Sequence, residues 1–238
     1  MCIFKIKLVF LCSLLVIACN NTPKPDTTTD QTSNKQQTSE SVKETVETRL
    51  DLTQYGIADN PDNVLGGLKI GDNAPDFTLL NQDGKHVSLD AILKHGRVLL
   101  VFLRAEWCSY CVRHLKEFQD NLQEIHDAGN VKVIAISPQQ RSYMQQFHDE
   151  NQLSFPILYD EDHSVMKDYK VFFHVTDKYN DYIEKAKGNR IEVFNGDTEP
   201  VMPIPATYLI GQDKTVKYVH YDPDYKKRSD VKKLIAQF

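Results

Sequence analysis

The chain has 238 residues and a formal net charge of −5, and 41% of its residues are hydrophobic. The acidic balance argues against nucleic-acid binding, which relies on a basic face or stripe. The apolar share is enough for one globular core once a polar stretch near the N-terminus is set aside.

Lys5 and Lys7 precede an apolar run, residues 8–18 (LVFLCSLLVIA). It is too short to cross a bilayer core of roughly 30 Å as a helix. It ends in Val16-Ile17-Ala18-Cys19, with small residues before the Cys as at a secretory cleavage point. This order resembles the lipobox of bacterial lipoproteins. The resemblance implies removal of residues 1–18, a lipid on Cys19, export, and a membrane-anchored protein facing the periplasm or cell exterior. The alternatives, a buried helix or a signal with an incidental Cys, sit poorly with the hydrophilic sequence that follows. Residues 20–48 are rich in Thr, Ser, Gln, Asn and Lys and lack aromatics, so they bury too little apolar surface to offset chain entropy. A disordered tether is assigned to residues 19–65 and a globular domain to 66–238. Residues 50–68 are transitional and are expected to pack on the domain edge.

Within the domain, residues 77–80 read as a strand, 81–85 (NQDGK) as a turn and 87–89 as its return. Residues 90–94 suit one helical turn ending near Gly96. The continuous apolar run 97–103 (RVLLVFL) predicts a strand buried on both faces. Leu115, Phe118, Leu122 and Ile125 recur at helical spacing, which predicts one helix over 107–128. Residues 131–136 form a second buried strand, 141–150 a helix, 155–159 a strand and 163–169 a short helix. The segment 171–200 is less regular and reads as an insertion. Residues 206–210 and 215–221 alternate around 211–214 (GQDK) as an antiparallel hairpin, and a helix capped at Ser229 or Asp230 closes the chain. The class is α/β, a central mixed β-sheet flanked by helices on both faces.

Five cysteines are present. Cys2 and Cys12 lie in the expected signal and Cys19 at the lipid site, leaving Cys108 and Cys111 as one C-x-x-C pair. The pair falls where a buried strand gives way to a helix, so unpaired N–H groups and a partial positive charge should favour a thiolate. Cys108, nearer the helix start and expected to be more exposed and of lowered pKa, is the candidate nucleophile. Cys111, one turn on, is the candidate resolving thiol. Other uses fit less well. A disulfide across so short a loop adds little stability. A structural zinc site needs four ligands, and only His114 extends the spacing. Haem attachment needs His where Val112 stands. Trp107 can shield the thiols and offer apolar surface to a substrate, and Pro205, directly before a strand, can hold its loop against the helix start through a cis Ile204–Pro205 bond.

Gly71-Asp72-Asn73-Ala74-Pro75-Asp76-Phe77-Thr78-Leu79 resembles the opening G-x-x-A-P-x-F-x-L of the peroxiredoxin (alkyl hydroperoxide reductase/thiol-specific antioxidant) branch of the thioredoxin-like superfamily. Residues 101–111 (VFLRAEWCSYC) resemble the Y-R-G-x-W-C-P-Y-C block of its peroxiredoxin-like members. Residues 133–139, 153–160, 205–210 and 220–225 resemble its later strands and C-terminal block. The resemblance implies a thioredoxin-like fold, no cofactor and no metal. It also implies a peroxidatic Cys108, a resolving Cys111, a cis Pro205 facing the site and an external thiol reductant. The family's Thr three residues before the reactive Cys is Ala105 here, and Arg104 is the candidate for the cation beside the thiolate. The C-x-x-C also suits a membrane-tethered oxidoreductase acting on protein disulfides, and a third use is a non-enzymatic metal-delivery module.

Overall fold

A computed structural model describes residues 51–238; the expected signal, Cys19 and most of the tether lie outside the described residues. Nine strands are described: β1 (Thr78–Asn81), β2 (His86–Ser88), β3 (Arg97–Phe102), β4 (Val131–Ser137), β5 (Ile157–Tyr159), β6 (Phe172–His174), β7 (Val201–Pro203), β8 (Ala206–Ile210) and β9 (Val216–Tyr221). Seven of them make one sheet in the order β2-β1-β5-β4-β3-β8-β9, and β6 and β7 pair separately. The contacts β3–β4 and β4–β5 are parallel, while β1–β2, β1–β5, β3–β8 and β8–β9 are antiparallel, so the sheet is mixed as expected.

The helices are α1 (Leu89–Leu93), α2 (Ser109–Asp120), α3 (Leu122–Asp127), α4 (Arg141–Glu150), α5 (Ser164–Asp168), α6 (Asp177–Lys187), α7 (Ile191–Asn195) and α8 (Val231–Ile235). Side chains alternate across a strand, so β3 feeds two cores. Val98, Leu100 and Phe102 pack with Leu89, Met166, Ile183 and Phe194 from α1, α5, α6 and α7. Leu99, Val101 and the following Leu103 pack with Leu115, Ile125, Met144 and Leu234 from α2, α3, α4 and α8. Helices therefore cover both faces, which is why the apolar run is unbroken.

Two expectations change. The helix expected over 107–128 is two helices broken at Asn121, whose φ of −108° is not helical. The Asn121 side-chain amide donates to the Glu117 carbonyl at 2.7 Å and competes with the backbone ladder, while the apolar spacing runs on across the break. The segment 171–200 is regular rather than irregular. Thr176 caps α6 by accepting from the Tyr179 N–H at 3.3 Å, and Gly188 ends it at φ +88°. Residues 51–65 dock onto this part: Ile57 is buried and bridges Val175, and Val64 bridges Phe172.

Candidate active site

The chain leaves β3 at Phe102, and Leu103 still donates to the Ile136 carbonyl at 3.0 Å. Residues 104–107 then form a clamped loop. Gln139, just past β4, accepts from the Glu106 N–H at 3.0 Å and donates to the Glu106 carboxylate at 2.5 Å. That carboxylate also accepts from the Trp107 N–H at 2.6 Å. Cys108 follows as the N-cap of α2, with the Val112 N–H donating to its carbonyl at 3.0 Å. Cys111 lies one turn on, and the two sulfurs are 2.8 Å apart.

Both thiols are buried, Cys108 at 5% and Cys111 at 2% exposure, so Cys108 is not the exposed thiol expected from its position. Their surroundings are not purely apolar. Arg228 Nη2 reaches Cys111 Sγ at 3.5 Å, and the positive charge of the fully buried Arg104 acts on both sulfurs. Among the described residues neither guanidinium pairs with a carboxylate. Arg104 donates to Tyr179 Oη at 2.5 Å and to Met202 Sδ at 3.5 Å, and Arg228 otherwise donates to the Lys227 carbonyl. A buried cation without an anion is costly; the Arg104 charge acts on Tyr179 and on both thiols, and of these three groups Cys111 is the one held below its ordinary value.

The structure reverses the expected order of ionisation. Burial opposes charge on Cys111, but its hydrogen bond with Cys108 and the charges of Arg228 and Arg104 outweigh this and hold Cys111 down at about 5. The hydrogen bond to Cys111, with burial, pushes the Cys108 thiol up. One proton is thus shared by two sulfurs, with the negative charge resting on Cys111. Arg228, which lies on the Cys111 side, rather than the helix start decides where the charge rests.

Pro205 is corrected as well. Every peptide bond among the described residues is trans, including Ile204–Pro205. The chain runs extended from β7 into β8, with the Ile204 N–H donating to the Val171 carbonyl at 2.7 Å, and a trans bond preserves that line. The pairing of Phe102 with Ala206 sets buried Pro205 at the end of β3 from which the thiol loop departs. Trp107 is half-buried, its ring 5.6 Å from Arg104 Cζ and 6.2 Å from the Phe194 ring, and its buried Nε1–H has no partner among the described residues. Residues 179, 202, 225 and 228, which complete the surroundings of the thiols, were not singled out from sequence. For Tyr179 and Tyr225 the signal is the tyrosines of the insertion and of residues 220–225; Met202 and Arg228 carry none.

His114 continues the spacing of Cys108 and Cys111, but its Nε2 is engaged with Ser229 Oγ at 2.9 Å, which donates to Thr207 Oγ1 at 3.2 Å. Burial, with the charges of Arg228 and His220, pushes His114 down to about 3 from 6.5. The unfolded chain therefore takes up this proton first, and the stability from a neutral His114 is complete above pH 6.5 and lost as pH falls toward 3. At about 1.4 kcal/mol per unit, the stability advantage of the native protein over His114→Gln is expected to shrink by about 3 kcal/mol between pH 7 and pH 4. Denaturant unfolding of both at several pH values measures this, and a constant difference would contradict it. The comparison cancels the opposite contribution of Asp160, which burial raises to about 6.

A family model described as AhpC/TSA matches residues 70–219. Peroxiredoxin Bcp of Escherichia coli (strain K12) is 35% identical over 105 residues, covering 44% of this chain and 66% of Bcp. Chloroplastic peroxiredoxin Q of Triticum aestivum is 31% identical over 153 residues, covering 63% of this chain and 70% of that protein. The chain thus spans just under two thirds of the length of Bcp. The crystal structure of peroxidoxin BcpB from Mycobacterium tuberculosis superposes with a TM-score of 0.56 at 21% identity, over 71% of this chain and 96% of that one. At that identity the match speaks to fold, and the fold is thioredoxin-like.

Proposed function

The chain belongs to the AhpC/TSA family, and on that premise we propose that it is a thiol peroxidase that reduces hydroperoxides through Cys108, with Cys111 as the resolving thiol. The observation that carries this reading is two sulfurs 2.8 Å apart, with Arg228 in contact with Cys111 and the charge of buried Arg104 acting on both, neither guanidinium having a carboxylate partner among the described residues. Cys111 takes the Cys108 proton across that short contact. The Cys108 thiolate attacks one peroxide oxygen, and the O–O bond breaks. Cys108 becomes a sulfenic acid, and the leaving alkoxide takes the proton now on Cys111 and departs as alcohol. The Cys111 thiolate then attacks the Cys108 sulfur and expels hydroxide, which solvent protonates to water. Two thiols have lost two electrons and the peroxide has gained them, and an external dithiol restores the pair. Arg104 stabilises charge on the attacking sulfur and on the departing oxygen.

The test is hydrogen peroxide consumption by the reduced protein against insulin reduction. The account expects peroxide to be consumed faster than by free cysteine, with one disulfide formed per peroxide. Rapid insulin reduction with negligible peroxide turnover would instead establish exchange with protein disulfides, a reading favoured by how little motion closes this C-x-x-C.

The same proposal places the domain outside the cytoplasm, held by a lipid on Cys19 and a polar tether. Support comes from the lipobox-like residues 16–19 and the composition of 20–48. Cys19→Ala is expected to move the protein from the membrane to the soluble fraction, and an unchanged distribution would rule the anchor out.

A further inference from the structure

Arg104 occupies an unusual position. It is fully buried and has five N–H donors, but few acceptors surround it. Three aromatic rings enclose its Cζ: Tyr225 at 4.2 Å, Tyr179 at 4.9 Å and Trp107 at 5.6 Å. Ring faces attract a cation but set its orientation only loosely. Orientation comes from hydrogen bonds. Nε meets Met202 Sδ at 3.5 Å, a weak acceptor, and Nη1 has no partner among the described residues. The one short bond is Nη2 to Tyr179 Oη at 2.5 Å.

Tyr179 is itself held in place. It lies in the first turn of α6, where Thr176 Oγ1 accepts from its N–H. Gly56 closes behind its ring: a Cβ there would come within 2.7 Å of Tyr179 Cγ, and Gly56 sits at φ +83°. The Thr176 N–H donates to the Gly56 carbonyl at 2.9 Å and ties the two segments together. The segment 171–200 and Gly56 thus together fix the base of the Tyr179 ring.

We propose that Tyr179 is a positioning residue, whose hydroxyl fixes the Arg104 guanidinium against the thiol pair and so sets how readily that pair ionises. This deepens the peroxidase reading by giving the insertion a part in activating the thiols. Among the described residues the Tyr179 hydroxyl donates no hydrogen bond, and it acts through Arg104.

Tyr179→Phe keeps the ring and removes the hydroxyl. The measurement is the rate of iodoacetamide alkylation of the reduced, full-length protein as a function of pH, with Tm recorded alongside. The expected result is a thiol ionisation midpoint raised by about one unit and, below the midpoint, alkylation about tenfold slower. Tyr182→Phe, on the same helix but 62% exposed, should leave the profile unchanged. Gly56→Ala, which displaces the Tyr179 ring, should shift it the same way as Tyr179→Phe. A Tyr179→Phe profile that superposes on that of the native protein, or an equal shift in Tyr182→Phe, would overturn the proposal. Alkylation does not depend on peroxide chemistry. A shifted profile in a protein that consumes no peroxide would leave this role standing and remove the peroxidase reading; an unshifted profile in an active enzyme would do the reverse.

Discussion

Replacing Cys108 with serine is expected to abolish peroxide consumption, and replacing Cys111 with serine to permit one slow turnover and then arrest. A serine hydroxyl is not ionised at neutral pH and cannot accept the peroxide oxygen as sulfur does, so Cys108→Ser should lose more than about 10³-fold. In Cys111→Ser the first step lacks the neighbouring sulfur that takes up the proton, and the sulfenic acid formed on Cys108 has no resolving thiol. It should therefore persist and be captured by a carbon nucleophile selective for sulfenic acid, with peptide mass spectrometry placing the adduct on residue 108. The experiment is sharp because Arg228 sits against Cys111, the proposed resolving thiol, and not against Cys108. If Cys108→Ser still consumed peroxide and the adduct appeared on Cys111, the roles would be exchanged.

Arg104→Met separates reactivity from stability. Removing a preorganised charge from a buried site costs about 10²–10³ in rate in well-studied enzymes, and a loss of that size is expected in the second-order rate with peroxide. Stability should not fall with it. Among the described residues Arg104 has no carboxylate partner and its Nη1 is unpaired, and the sulfur pair left behind can take up a proton rather than hold an uncompensated buried charge. The expected result is a Tm equal to or above that of the native protein. A variant that lost several degrees of Tm and kept its peroxide rate would identify Arg104 as a packing residue.

The scaffold was legible where local physics decides it. The unbroken runs at 97–103 and 131–136 are unbroken because β3 and β4 feed cores on both sides. Arg141–Glu150 and Ala206–Ile210 occur where periodicity placed them. The Cys pair was equally visible, because Cys108 and Cys111 are the two of the five cysteines that stand in a C-x-x-C at a strand-to-helix junction. What was hidden depends on contacts between distant residues. The Asn121 break comes from a side-chain amide competing with the helix ladder inside an intact apolar repeat. The helices of the insertion have few apolar anchors, chiefly Ile183, Ile191 and Phe194, and expose Tyr182 and Val193, which blurs their apolar period. The order of thiol ionisation turns on Arg228, which is 117 positions from Cys111, and the setting of Arg104 on Tyr179, 75 positions away. The trans Ile204–Pro205 bond departs from what the family resemblance implied.

The account depends on one negative charge shared by the two sulfurs at neutral pH. Thiolate absorbance near 240 nm, followed while the reduced protein is titrated and compared with Cys108→Ser/Cys111→Ser, measures it directly. The expected trace shows one thiolate per chain already present at pH 7, with its midpoint well below that of a free cysteine, and a second appearing only at high pH. A trace with no thiolate until pH 8 or above, where both groups then ionise together, would contradict it.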